Sequence, residues 1–123
     1  MDTLISKYYD GYEGEPEIQF IKGSEAENRT ILSIWEGFFD DIMCQFKPTP
    51  SGWQGLAYYY NLCIGWWDEA FWEISDLHSA LGEFQSLNLK ELRFDGSAEV
   101  LSEICSLLES AIKENEKVWI AKD

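Results

Sequence analysis

The stretch from Val100 to Ile112 constrains this chain more than any other. Val100, Leu101, Ile104, Cys105, Leu108, Ala111 and Ile112 recur at helical spacing and fill one face, while Glu103, Ser106, Glu109, Ser110 and Lys113 fill the other. A helix with one apolar stripe is stable only when another element covers that stripe. The turn Asp95-Gly96-Ser97 provides its start, and Lys117-Val118-Trp119-Ile120-Ala121 reads as a strand directly after it. A long one-sided helix leading into a strand points to helices packed on a sheet.

The remaining segments extend that picture. Glu17-Ile18-Gln19-Phe20-Ile21-Lys22 alternates in part, ends at Gly23 and reads as a strand, while Leu4 to Tyr9 fits either a strand or a short helix. Ser24-Glu25-Ala26-Glu27 has the form of a capping box, which predicts a helix running to about Phe46. At 100° per residue Ile31, Ile34, Trp35, Phe38, Phe39 and Ile42 share its apolar face. Ser33, Glu36, Gly37, Asp40 and Cys44 fall opposite, with Asp41 at the edge. Lys47-Pro48-Thr49-Pro50-Ser51-Gly52 is a loop. Trp53 to Cys63 reads as a further helix, and Ser75-Asp76 starts another that carries Leu77, Ala80, Leu81 and Phe84. Leu87 to Phe94 has room for a short strand. The expectation is an α+β fold: a helix-rich single domain, residues 1–123, with a small sheet built from the N- and C-terminal segments.

Charge narrows the function. Nine Lys+Arg stand against 23 Asp+Glu, giving a net charge of −14 and a pI of about 4.2. That excess excludes binding to nucleic acid by phosphate neutralisation and opposes attachment to an anionic membrane. A hydrophobic fraction of 46% excludes disorder. The start lacks a basic region followed by an apolar core, so no signal peptide is read, and no apolar run reaches spanning length. Cys44, Cys63 and Cys105 are odd in number and far apart, which fits free, mostly buried thiols in a reducing cytoplasm.

Catalytic patterns are missing. His78 is the sole histidine, and Asp76 lies two residues away, where helical side chains diverge. Glu69 and Glu73 followed by Asp76 lack the Glu-x-x-His spacing of di-iron bundles. No GxSxG elbow or phosphate-cradling glycine loop is present. A zinc site would need three cysteines and His78 to converge from four distant places. No enzyme, cofactor or metal is therefore expected.

Two acidic groups stand out instead. Asp68, Glu69 and Glu73 lie among Trp66, Trp67, Phe71 and Trp72. On a helix, Glu69 and Glu73 would be like-charged i,i+4 neighbours, destabilising by a few tenths of a kcal/mol. The second group is Glu36, Asp40 and Asp41, with Gly37 among them at about 1 kcal/mol relative to Ala. Gly37 would permit close approach of another backbone. Each group reads either as the solvated rim of a core or as an interface in which aromatics anchor and carboxylates steer a basic partner. Tyr58-Tyr59-Tyr60 spans over half a helix circumference, so at least one hydroxyl should find water or a polar partner.

The run Ala57-Tyr58-Tyr59-Tyr60-Asn61-Leu62-Cys63-Ile64-Gly65-Trp66-Trp67-Asp68 and the segment Trp72-Glu73-Ile74-Ser75-Asp76-Leu77 resemble the small acidic immunity proteins of bacterial toxin systems, including contact-dependent growth inhibition. The helix from Ser97 and the ending Lys117-Val118-Trp119-Ile120 are similar too. The resemblance implies a cytoplasmic, non-enzymatic inhibitor that binds the toxin domain of a cognate delivered protein. A basic domain, above all a nuclease, is the partner that this charge would attract, bound one-to-one by a monomer through Glu36, Asp40, Asp41, Asp68, Glu69 and Glu73. The alternative is an acidic secretion chaperone, a dimer that holds an unfolded effector segment.

Overall fold

In the computed structural model, residues 3–23, 29–47, 71–74 and 76–122 are described. Five strands form a mixed sheet: β1 (Thr3–Tyr8), β2 (Glu17–Lys22), β3 (Thr30–Trp35), β4 (Phe71–Glu73) and β5 (Val118–Lys122). Their spatial order is β1-β3-β2-β5-β4. β1 runs parallel to β3, and the other neighbours are antiparallel. Among the described residues three α-helices accompany them: α1 (Glu36–Met43), α2 (Leu77–Gln85) and α3 (Ser97–Glu114). The fold is α+β. The sheet does use the N- and C-terminal segments, and it adds β3 and β4 from the interior of the chain.

β2 is central because its sequence suits that place. Ile18 and Phe20 point to the helix-covered face and are fully buried, with Leu32 and Ile34 beside them on β3 and Ile120 on β5. α3 lays Val100, Ile104 and Leu108 over this face, and all three are fully buried. Each such side chain contributes about 1.5–3 kcal/mol by leaving water. Phe39 and Ile42 of α1 and Phe84 of α2 close the core. Lys22 shares the face, yet its ammonium reaches out to Ser110 Oγ at 2.8 Å and Glu114 at 3.2 Å on α3.

α3 follows its sequence pattern. It stops at Asn115, which is left-handed at φ 56°. The Glu116 N–H then donates to the Ala111 carbonyl at 2.8 Å, the closure that such a residue allows. α2 starts as expected, with Asp76 accepting from the Ser79 N–H at 3.1 Å.

Five expectations are corrected. Residues 30–35 are strand β3, so of the helix expected from Ser24 to Phe46 the described residues form only Glu36–Met43, and the capping box at Ser24 to Glu27 lies outside the described residues. Ser33, expected on a polar helix face, is instead a buried strand residue donating to Glu17. Leu87 to Phe94 holds a single 3-10 turn, Leu89–Glu91, because the Asn88 side chain accepts from the Lys90 N–H at 3.0 Å and closes the chain locally. Glu73 is on strand β4, so it does not sit on a helix beside Glu69. Cys105 and Cys44 are free thiols, the first half-buried and the second exposed rather than buried. The expected helix at 53–63, the Tyr58-Tyr59-Tyr60 run and Cys63 lie outside the described residues. Among the described residues no helix is long and apolar enough to cross a membrane.

Candidate functional site

The junction of β3 and α1 gathers four aromatic rings. Trp35 ends the strand in extended conformation, and the chain turns into the helix at Glu36, whose N–H donates to the Pro16 carbonyl at 3.0 Å. That bond ties the β1–β2 loop to the start of α1. The loop carries Tyr12, which stacks on Trp35 with centroids 4.4 Å apart and planes 6° off parallel. Phe38, one turn into α1, meets both rings edge-on at 5.6 and 5.2 Å. Phe94, arriving from the segment before α3, contacts Trp35 at 5.4 Å and Phe38 at 6.3 Å. Such pairs contribute about 0.5–1.5 kcal/mol each beyond burial. Phe38 is buried and Tyr12 and Trp35 are half-buried, but Phe94 stays 42% exposed.

Two glycines make this packing possible. The Trp35 indole folds over Gly37 so closely that a Cβ there would fall inside the ring carbons. The close approach that Gly37 permits is therefore to an indole, not to a second backbone. A Cβ at Gly96 would come within 2.9 Å of the Phe38 ring.

Asp41 fixes the same assembly from below, which corrects its assignment to a partner surface. Its side chain is fully buried. It accepts from the Arg93 N–H at 2.8 Å, the Phe94 N–H at 3.0 Å and the Ser97 hydroxyl at 2.7 Å. Arg93 Nε adds an ion pair at 3.3 Å. Burial, the largest single influence, pulls the Asp41 pKa up; the hydrogen bonds from Phe94, Ser97 and Arg93 together outweigh it and leave it below the ordinary value. With its lone pairs so engaged, the carboxylate is structural: it pins the 93–97 segment to α1 and thereby sets the position of Phe94.

Carboxylates are frequent in the segments that carry the rings. Glu36 and Asp40 are half-buried on α1. Asp10, Glu13 and Glu15 are exposed on the loop that holds Tyr12, and Asp95 is exposed directly after Phe94. Farther along α3, Glu99 and Glu103 each lie 3.4 Å from the Tyr8 hydroxyl. Burial pushes the Tyr8 phenol up, and Glu103 and Glu99 push it further against the opposing influence of Lys7.

The second acidic group is elsewhere. Glu73 is exposed on β4, the edge opposite β1. It pairs with Trp119, which pairs with Ile21 and so with Ile31, four residues before Trp35. Three strand spacings across and four residues along place Glu73 roughly 20 Å from Trp35. There it lines an open cleft of about 290 Å³ with Asp76, His78, Glu116 and Lys117. Asp76 is already engaged in capping α2. Asp68 and Glu69 lie outside the described residues. Among the described residues no group of acidic, His and Cys side chains is placed to hold a metal ion.

Sequence reasoning named Glu36 and Asp40 on α1 but did not name Tyr12, Trp35 and Phe94 as a surface. A weak signal existed for two of them: Tyr12 is flanked by Gly11 and Gly14, both at positive φ, and Phe94 stands in a polar turn where an apolar ring has no local reason to be. A scan against protein-family models matches none, and searches of curated proteins and of solved structures find no match.

Proposed function

We propose that this protein is an immunity-type inhibitor that binds a basic bacterial toxin domain through the Tyr12-Trp35-Phe38-Phe94 face and neutralises it without catalysis. One observation supports this most: an aromatic cluster held in fixed position, with Phe94 exposed, in segments rich in carboxylates, on a chain of net charge −14. A rigid, exposed ring is an energetic anchor at an interface. The surrounding charge accelerates encounter with a basic surface by one to three orders of magnitude. It also disfavours acidic competitors. A nuclease is the fitting target, because a site that attracts phosphates attracts carboxylates too. Binding is one-to-one and takes place in the cytoplasm, where the toxin arrives.

The test begins with capture of the tagged protein's partner from its host lysate, eluted by stepwise salt, followed by assay of the purified partner. A folded basic domain at one-to-one stoichiometry, whose activity is abolished by the wild type, is the expected result. Phe94→Ala should weaken binding about 30-fold or more, as loss of an anchor does. Paired Glu36→Lys and Asp40→Lys should slow association at least about tenfold at low salt. Recovery of an unfolded segment on a dimer would overturn the proposal in favour of a secretion chaperone. A partner whose activity is untouched would overturn it as well.

A further inference from the structure

We propose that residues 3–6, the first half of β1, form a strap that opens from β3 as a unit while Tyr8 stays in place. The inference concerns the fold and holds whatever the protein binds. β1 is the outer strand of the sheet and, among the described residues, pairs only with β3. That pairing is parallel, the weaker of the two kinds of ladder. The two ends of the strand differ. Thr3 and Leu4 are exposed, and Ile5 and Ser6 are half-buried, so none of the four is buried. Tyr8 packs in the core, with Glu99 and Glu103 at its hydroxyl. The register with β3 shifts between Ile5 and Tyr8. The ladder is already interrupted where the strap would hinge.

What lies beneath the strap holds it weakly. Of its two apolar residues Ile5 packs against the core and Leu4 does not. Ile5 does so beside a cavity of about 170 Å³ that it lines with Thr30 and Leu32 of β3 and Leu107, Ser110 and Lys22. Side chains on the wall of a void lose the contacts that atoms across it would give. Lys22 and Ser110 spend their polar groups on each other and on Glu114. The Thr3 N–H donates to the Arg29 carbonyl at 2.7 Å within the β1–β3 ladder. Among the described residues no side-chain hydrogen bond or ion pair ties residues 3–6 to another element. A segment with few buried contacts and an exposed ladder opens well below the free energy of global unfolding. Opening uncovers the outer edge of β3 together with Leu32 and Leu107, both buried while the strap is closed.

The test is hydrogen exchange of the wild type, followed by NMR at several low urea concentrations. The Thr3 amide should exchange at least about 100-fold faster than the β2 amides bonded to β3, and its rate should hardly change with urea, because a local opening exposes little surface. The other ladder amides of the strap, and the β3 amides that face β1, should give the same opening constant. The β3 amides that face β2 should not. Leu4 and Ile31 are directly paired, so Leu4→Cys with Ile31→Cys places a disulfide between strap and β3. Its oxidation should slow Thr3 exchange at least about tenfold, and reduction should restore the rate. The wild-type readings decide the matter even if that variant does not fold. Thr3 exchange as slow as that of β2, a urea dependence equal to that of global unfolding, or a graded series of opening constants along residues 3–6 would each overturn the inference. So would an oxidised variant that exchanges like the reduced one.

Discussion

Replacing Asp41 tests the assembly at its base. Asp41→Ala leaves the Phe94 N–H, the Arg93 N–H and the Ser97 hydroxyl facing an empty, buried position. Hydrogen bonds to a charged acceptor contribute about 1.5–3 kcal/mol each, and they do not add in full. Removing one side of a buried charged network costs about 3–5 kcal/mol. We expect a loss near 3–4 kcal/mol for Asp41→Ala. For Asp41→Asn we expect about 2 kcal/mol, because the amide keeps one acceptor oxygen but turns a donor toward donors. At this chain length the larger loss is a drop of about 10–20 °C in melting temperature. Urea unfolding followed by circular dichroism measures both variants. Acid pH adds a second reading. A carboxyl whose folded pKa lies below its unfolded value gives stability that is complete above the unfolded pKa, about 3.9, and is lost as pH falls through the folded one. The difference between wild type and Asp41→Asn should hold from pH 7 to about 5 and shrink below about 4. A loss under about 1 kcal/mol for Asp41→Ala, or a difference that grows in acid, would refute the clamp.

Other consequences follow from single positions. Gly37→Ala would ordinarily stabilise a helix by about 1 kcal/mol; here the Trp35 indole occupies the space, so we expect a loss of about 1–3 kcal/mol and a weakened near-UV dichroism signal. Asp76→Ala removes the α2 cap and should cost about 1 kcal/mol in urea unfolding. Asn115→Gly should match or exceed wild-type stability, since glycine meets no Cβ penalty at φ 56°, whereas Asn115→Val should cost about 1–2 kcal/mol. Thermal melts of the pair settle the order.

How far the sequence could be read depended on whether its signals were local. α3, α2 and β2 were legible because their start, period and stop all lie within twenty residues. β3 was not, for a physical reason. Ile31, Leu32, Ile34 and Trp35 are apolar on both faces of a strand whose two neighbours are β1 and β2. A strand paired on both sides with apolar residues on both faces loses its alternation and then matches helical spacing by chance. The β-branched residues Thr30, Ile31 and Ile34 were the counter-signal. For the candidate site, Glu36 and Asp40 were legible as charge on a helix face. The role of Asp41 was not, because its partners Arg93 and Ser97 stand 52 and 56 positions away. Nor could spacing show that Tyr12, Trp35 and Phe94 meet, since three separate segments deliver them.

The pairing of β2 with β5 has a consequence for how the protein is made. Lys22 pairs with Val118, ninety-six positions later, and among the described residues β4 has no strand neighbour but β5. At about 5–20 residues per second of translation, roughly 5–20 s separate the synthesis of β2 from that of its second neighbour. Through that interval a strand bearing Ile18, Phe20 and Ile21 has one open edge, the template on which chains pair with one another. The yield of folded protein should then fall when nascent chains are crowded and rise when those seconds are shortened.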